Sequence, residues 1–163
     1  MLLFFIAQMA AWADSCDAEN VNNREMKYTI YICDNGLEEE VKLASRWWNS
    51  KGSNILVADG VYDCKETKLE NNEIFIEYND NKTISRNSET TITGGFTDRV
   101  HEGHLGTVKR SNVYLATYLK DDIHARRIFI LHEIGHAIGY NHVSENCHDY
   151  IMNPYLTQMG LKL

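Results

Sequence analysis

Residues 132–142 read HEIGHAIGYNH, which places three histidines and one glutamate within eleven positions. On a helix, His132 and His136 stand four residues apart and project from one face, separated by about 40° of rotation at about 3.6 residues per turn. Two imidazoles at that spacing can reach one metal ion. A continuing helix would carry His142 to a different azimuth, so the chain must turn back first. Gly139 stands where that turn is needed, because a residue without Cβ enters the left-handed conformation at no steric cost. Glu133 is offset by about 100° from His132 and would reach a water beside the metal rather than the metal itself, which suits a general base. An H-E-x-x-H pattern alone also arises on ordinary amphipathic helices. Gly139 and His142, both in register, favour the metal reading: three nitrogen donors with an open fourth position, the arrangement of a catalytic zinc.

Working outward, the metal helix is expected from about Ile123 to Gly139. Upstream, KYTIYIC at 27–33 alternates β-branched and aromatic residues and predicts a strand, turned by Asp34-Asn35-Gly36. Leu37 to Asn49 places Leu37, Val41, Ala44 and Trp48 at helical spacing behind three glutamates, which the helix dipole favours near the start. NILVA at 54–58 and EIFIEY at 73–78 read as further strands, and another is expected around Asn112 to Thr117. The polar tract from Asn79 to Gly106, which contains Gly94-Gly95 and Gly103, reads as a long functional loop with one short strand at 89–93. The fold class is therefore α+β.

The chain has 163 residues, 44% hydrophobic and 24% charged, with nine Tyr and three Trp, which fits one compact domain and argues against disorder. A net charge of −7 and the lack of any Lys/Arg run disfavour nucleic acid or an anionic membrane as the main partner. Residues 1–13, MLLFFIAQMAAWA, are uncharged and end in a small-x-small pattern at Ala11-Trp12-Ala13, so they read as a signal peptide ahead of a domain at 14–163. A first strand or helix of the fold is the alternative for that segment. It is too short to span a membrane. Cys16, Cys33, Cys64 and Cys147 form no C-x-x-C pair, and an even count in an exported chain predicts two disulfides, with three connectivities open.

HEIGHAIGYNH resembles the metzincin zinc signature H-E-x-x-H-x-x-G-x-x-H at every fixed position. Metzincins carry a downstream methionine in a tight turn beneath the metal, and Met152 in DYIMNPY is the counterpart the resemblance implies. IMNPY is most similar to the matrixin branch, by which Pro154 and Tyr155 become candidate substrate-pocket residues. The resemblance implies a zincin-type catalytic domain: a twisted mixed sheet, an active-site helix and a small C-terminal subdomain. It also implies an antiparallel edge strand over the cleft, mapped here onto Gly106 to Ala116, which could pair with extended peptide. The interval from His142 to Met152 is longer than a matrixin's and contains Cys147, and eleven residues after Met152 leave room for only a minimal lower subdomain.

Other candidates are weaker. His101 and His104, with Asp98 and His124, do not reproduce the spacing of the second, structural zinc of matrixins and read as exposed loop residues. Asn79-Asp80-Asn81 is oxygen-rich but lacks an ordered calcium-loop pattern, so neither calcium nor a second zinc is assigned. Asn81-Lys82-Thr83 matches the N-glycosylation acceptor pattern. His148 and Asp149 read as turn formers, and Cys16 as half of a disulfide rather than an inhibitory zinc ligand. The expectation is a secreted, monomeric, zinc-dependent endopeptidase acting on protein or peptide, with His132, His136 and His142 as ligands and Glu133 as base. The alternatives are a secreted metal-binding interaction module or toxin-like protein with little proteolysis, and a narrow aminopeptidase.

Overall fold

A computed structural model describes residues 16–22, 26–65, 70–83, 94–102, 106–147 and 150–155. The expected signal peptide, the strand at 89–93, and His104, His148 and Asp149 lie outside these residues. The elements are β1 (Lys27–Ile32), α1 (Glu38–Ser50), β2 (Asn54–Val61), β3 (Glu73–Tyr78), α2 (Asp80–Thr83), β4 (Gly95–Glu102), β5 (Thr107–Leu115) and α3 (Ile123–Ala137). A short 3-10 helix, Thr117–Lys120, joins β5 to α3. The class is α+β, built on one five-stranded mixed sheet in the order β2-β1-β3-β5-β4. β2, β1, β3 and β5 run parallel, and β4 lies antiparallel to β5 on the outside.

The period of two along β1 turns Tyr28, Ile30 and Ile32 inward, and Ile74, Ile76, Val113 and Leu115 continue that face. α1 covers it with Val41, Ala44 and Trp48, and α3 with Ile130, Ile134 and Ala137, so sheet and helices share one hydrophobic cluster. Tyr31 and Phe75 point to the opposite face, where Tyr31 makes edge-to-face contacts with Tyr62 and Phe75. Leu37, fully buried, precedes α1, and Glu38, Glu39 and Glu40 fill its first turn. Glu40 is itself buried and accepts from Arg126 of α3 at 3.1 Å, which ties the two helices together.

Several expectations shift. β2 runs on past 58 to Val61, because Gly60 at φ +87° admits an irregularity that lets Val61 pair with Ile32. α3 ends at Ala137, two residues short of Gly139. The long polar tract is not all loop: it contains α2 and the eight-residue β4. β4 alternates poorly in hydrophobicity, and its main-chain pairing with β5 defines it rather than burial. The mapped edge strand is also corrected. β5 starts at Thr107, before the expected Asn112, and lies inside the sheet between β3 and β4; the antiparallel edge strand is β4.

Cys16 pairs with Cys147 and Cys33 with Cys64, selecting one of the three connectivities. No described helix is long and apolar enough to cross a membrane. The Cys16–Cys147 bridge spans 131 residues of sequence against 31 for Cys33–Cys64, so it restricts the unfolded chain more. Replacing Cys16 and Cys147 together by serine is expected to lower stability by about 3 to 5 kcal/mol in urea unfolding, and more than the same change at Cys33 and Cys64.

Candidate metal centre

α3 opens on Asp122, whose carboxylate accepts from the Ala125 N–H at 2.9 Å. It closes in a Schellman arrangement: Tyr140 N–H donates to Gly135 O at 2.9 Å and Gly139 N–H to His136 O at 3.0 Å, with Gly139 at φ +103°. The left-handed glycine reverses the chain and returns His142 to the two helical histidines. A strap from the N-terminal segment holds the reversal. Val21 N–H donates to Gly139 O and Asn141 N–H to Glu19 O. Buried Asn22 donates through its amide to Ile138 O, Val108 O and the Tyr28 hydroxyl, and accepts from Val108 N–H.

The three imidazoles converge. His142 Nε2 lies 3.2 Å from His132 Nε2 and 3.0 Å from His136 Nε2. Backbone carbonyls receive the other ring nitrogens: His132 Nδ1 meets Ile151 O at 2.6 Å and His136 Nδ1 meets Tyr140 O at 2.9 Å. In neutral rings those contacts place the proton on Nδ1 and leave Nε2 as a lone pair. A cation about 2.0 to 2.1 Å from each of three tetrahedrally disposed nitrogens would set them about 3.3 Å apart, close to the spacing seen. Burial, above all, pushes His132 down to about 4 and His136 down to about 3, and lowers His142 as well. The site is thus a cluster of neutral donors that could hold a metal ion.

Glu133 is 5% exposed. Its Oε2 accepts from the Thr97 hydroxyl of β4 at 2.6 Å. A Cβ on Gly95 would lie 2.6 Å from Glu133 Cγ, and one on Gly94 would collide with the Phe129 ring, so only glycines let β4 pass this close to α3. Burial pushes the Glu133 carboxyl up to about 7, while the Thr97 hydrogen bond and the Arg99 charge oppose the rise.

Beneath the histidines, Met152 is 1% exposed. A Cβ on Gly135 would come within 2.5 Å of both Met152 Sδ and Trp48. Trp48 donates from its indole to Leu131 O at 2.8 Å and stacks on Tyr140. The turn that carries Met152 is held by Val143 N–H donating to Met152 O, and by the buried Asn153 amide donating to Glu145 O and Cys147 O. Cys147 joins that loop to the N-terminal strap.

No protein-family model matches this chain, and no curated protein sequence matches it either.

The structure brings His132, His136 and His142 together, the three histidines that the sequence singles out, with Glu133 buried on the same helix and Met152 buried against Gly135. Pro154 and Tyr155 follow the turn at the surface, where the Tyr155 hydroxyl donates to Glu145 at 3.0 Å. Asp98, His101 and His124 form no metal-competent group among the described residues. Asp80 accepts from the N–H and hydroxyl of Thr117, a structural role in place of calcium ligation. Sequence reasoning missed Thr97, Asn22, Asn153 and the packing role of Gly135. Only the Gly94-Gly95 pair carried a visible signal of close approach.

Gly135→Ala is expected to cost about 2 to 3 kcal/mol by overpacking and to weaken metal binding, read by unfolding and by metal titration. The titrating groups pull the metal-free protein in opposite directions. The histidines, depressed in the fold, contribute stability that is present above their unfolded pKa and is lost as pH falls from about 6.5 through about 4. Glu133, raised in the fold, contributes stability that is present below about 4.5 and is lost as pH rises through about 7. Glu133→Gln should therefore stabilise the metal-free protein by about 2 to 3 kcal/mol more at about pH 8 than at about pH 5, measured by thermal unfolding.

Proposed function

We propose that the protein is a secreted, zinc-dependent endopeptidase of the metzincin type. The observation that carries the reading is the convergence of three imidazole nitrogens, together with a buried carboxylate on the same helix, Glu133, which follows His132 in the chain and is pinned by Thr97. A closed structural site needs no such base, and it takes a fourth protein ligand, where the described residues of this one offer three histidines, the last of them exposed. Neutral imidazoles in a near-tetrahedral half-shell suit zinc. Held there, zinc supplies a Lewis acid that polarises a peptide carbonyl and eases deprotonation of water.

The remaining chemistry falls to the chain's own groups. Glu133 takes the proton of the attacking water and delivers it to the departing amine nitrogen, and a carboxyl pushed up toward 7 exchanges protons readily near neutral pH. Thr97 and the close pass of Gly95 keep that carboxylate in one orientation. β4, which packs against Glu133, is an outermost strand of the sheet among the described residues, the position at which an extended peptide can add by main-chain pairing. An antiparallel edge strand over the metal helix, a glycine-stopped helix and a methionine turn below all support the metzincin resemblance. By the same resemblance, Pro154 and Tyr155, just past that turn, would wall the substrate pocket. Two disulfides point to an oxidising environment, in keeping with secretion.

Glu133→Ala is expected to keep zinc, by elemental analysis, and to lose cleavage of a denatured protein by about a thousandfold or more. A chelator should abolish the wild-type activity, and zinc should restore it. Peptides blocked at the amino terminus should still be cut at internal bonds, which an aminopeptidase could not do. Undiminished proteolysis by the Glu133→Ala protein would sink this mechanism.

A further inference from the structure

Along β4, Gly95, Thr97 and Arg99 share one face by the strand's period of two. Gly95 and Thr97 meet Glu133, and Arg99 continues the row to the other end of the site, where its Nη1 donates to Asn141 Oδ1 at 3.3 Å. Asn141 directly precedes the ligand His142. The guanidinium therefore lies on the His142 side of Glu133.

Its partners are incomplete. Arg99 is half-buried, yet the ion pairs among the described residues engage Lys109, Arg126 and Arg127, and none engages Arg99. Its remaining N–H donors meet no acceptor among the described residues. The neighbouring acids are otherwise placed. Glu133 is turned to Thr97, and Asp98 projects from the opposite, exposed face of the strand. A partly desolvated cation normally holds an anion, and the planar fork of arginine matches a carboxylate through two parallel hydrogen bonds. A neutral amide oxygen at 3.3 Å is a weak substitute and is easily displaced.

We propose that Arg99 is a specificity residue: it binds an Asp or Glu side chain of the substrate close to the cleaved bond, so that the protein selects acidic peptide sequences. This rests on the peptidase reading above, which supplies the substrate that occupies the cleft.

The test uses zinc-loaded protein and a peptide series with one Glu scanned through the three positions on each side of the cleaved bond, paired with the same peptides carrying Gln. For the wild type, one position should give a kcat/KM about tenfold higher with Glu than with Gln, the size of one charge-assisted pair. For Arg99→Met the Glu-to-Gln ratio should fall to about one. Arg99→Lys should keep part of the preference, and Arg99→Glu should favour the peptide with Lys at that position. A purely structural role would move both peptides together and leave the ratio intact. Equal cleavage of Glu and Gln peptides at every position, or a ratio that survives Arg99→Met, overturns the assignment. If the wild type cuts no peptide, the peptidase reading fails by itself. Fluorescence anisotropy on the Glu133→Ala protein then decides Arg99 separately: about tenfold tighter binding of the Glu peptide supports it, and equal affinity rejects it.

Discussion

The close contact of Gly135 with Met152 and Trp48 is the constraint on which the molecule turns. Gly135 lies between the two helical histidines in the chain, and its missing side chain lets the helix settle onto the indole and the thioether. Trp48 reaches across from α1 to donate to a carbonyl of α3 and stacks on Tyr140, where the helix ends. One residue without a Cβ thus links α1, α3, the helix stop and the methionine turn. Positions of catalytic groups have to be held within fractions of an ångström, and dense packing under a rigid helix is how a small domain achieves that.

The third ligand poses a different problem, because His142 lies beyond the helix on a loop. Its position is over-determined by contacts remote in sequence. The N-terminal strap bonds to both sides of Gly139, Asn22 ties the helix end to Val108 of β5, and the Cys16–Cys147 disulfide fastens the strap to the loop that leads to Met152. The carbonyls of Ile151 and Tyr140 then set the ring orientations of His132 and His136. Each of these bonds removes freedom that a metal ion would otherwise have to remove on binding, so the cluster is preorganised. The same burial that neutralises the histidines raises the Glu133 carboxyl, so one low-dielectric setting acts on both.

Legibility in the sequence followed the reach of the forces involved. The strand at Lys27–Ile32 and the helix behind Leu37 were readable because apolar periodicity reports which local face is buried, and the helix at Ile123–Ala137 because its histidine spacing fits helical geometry. β4 was not. Its side chains are half-exposed and polar, and its existence depends on hydrogen bonds to a partner that has β3 on its other side. The strand expected at the edge proved to be an interior one, because strand order is a property of the assembled sheet and leaves only a faint trace in alternation.

What the sequence by itself determined is the local chemistry of HEIGHAIGYNH: two histidines on one helical face, a carboxylate beside them, a glycine stop and a returning histidine. Those relations lie within eleven residues and follow from helix geometry and from the conformational freedom of glycine. Only the tertiary structure decided that Thr97 holds Glu133, that Arg99 reaches Asn141 beside His142, that Asn22 braces the helix end, and which cysteines pair. The physical reason is distance along the chain. Each of those contacts joins segments tens of residues apart, and their encounter is dictated by the packing of the whole sheet against its two long helices rather than by any local pattern.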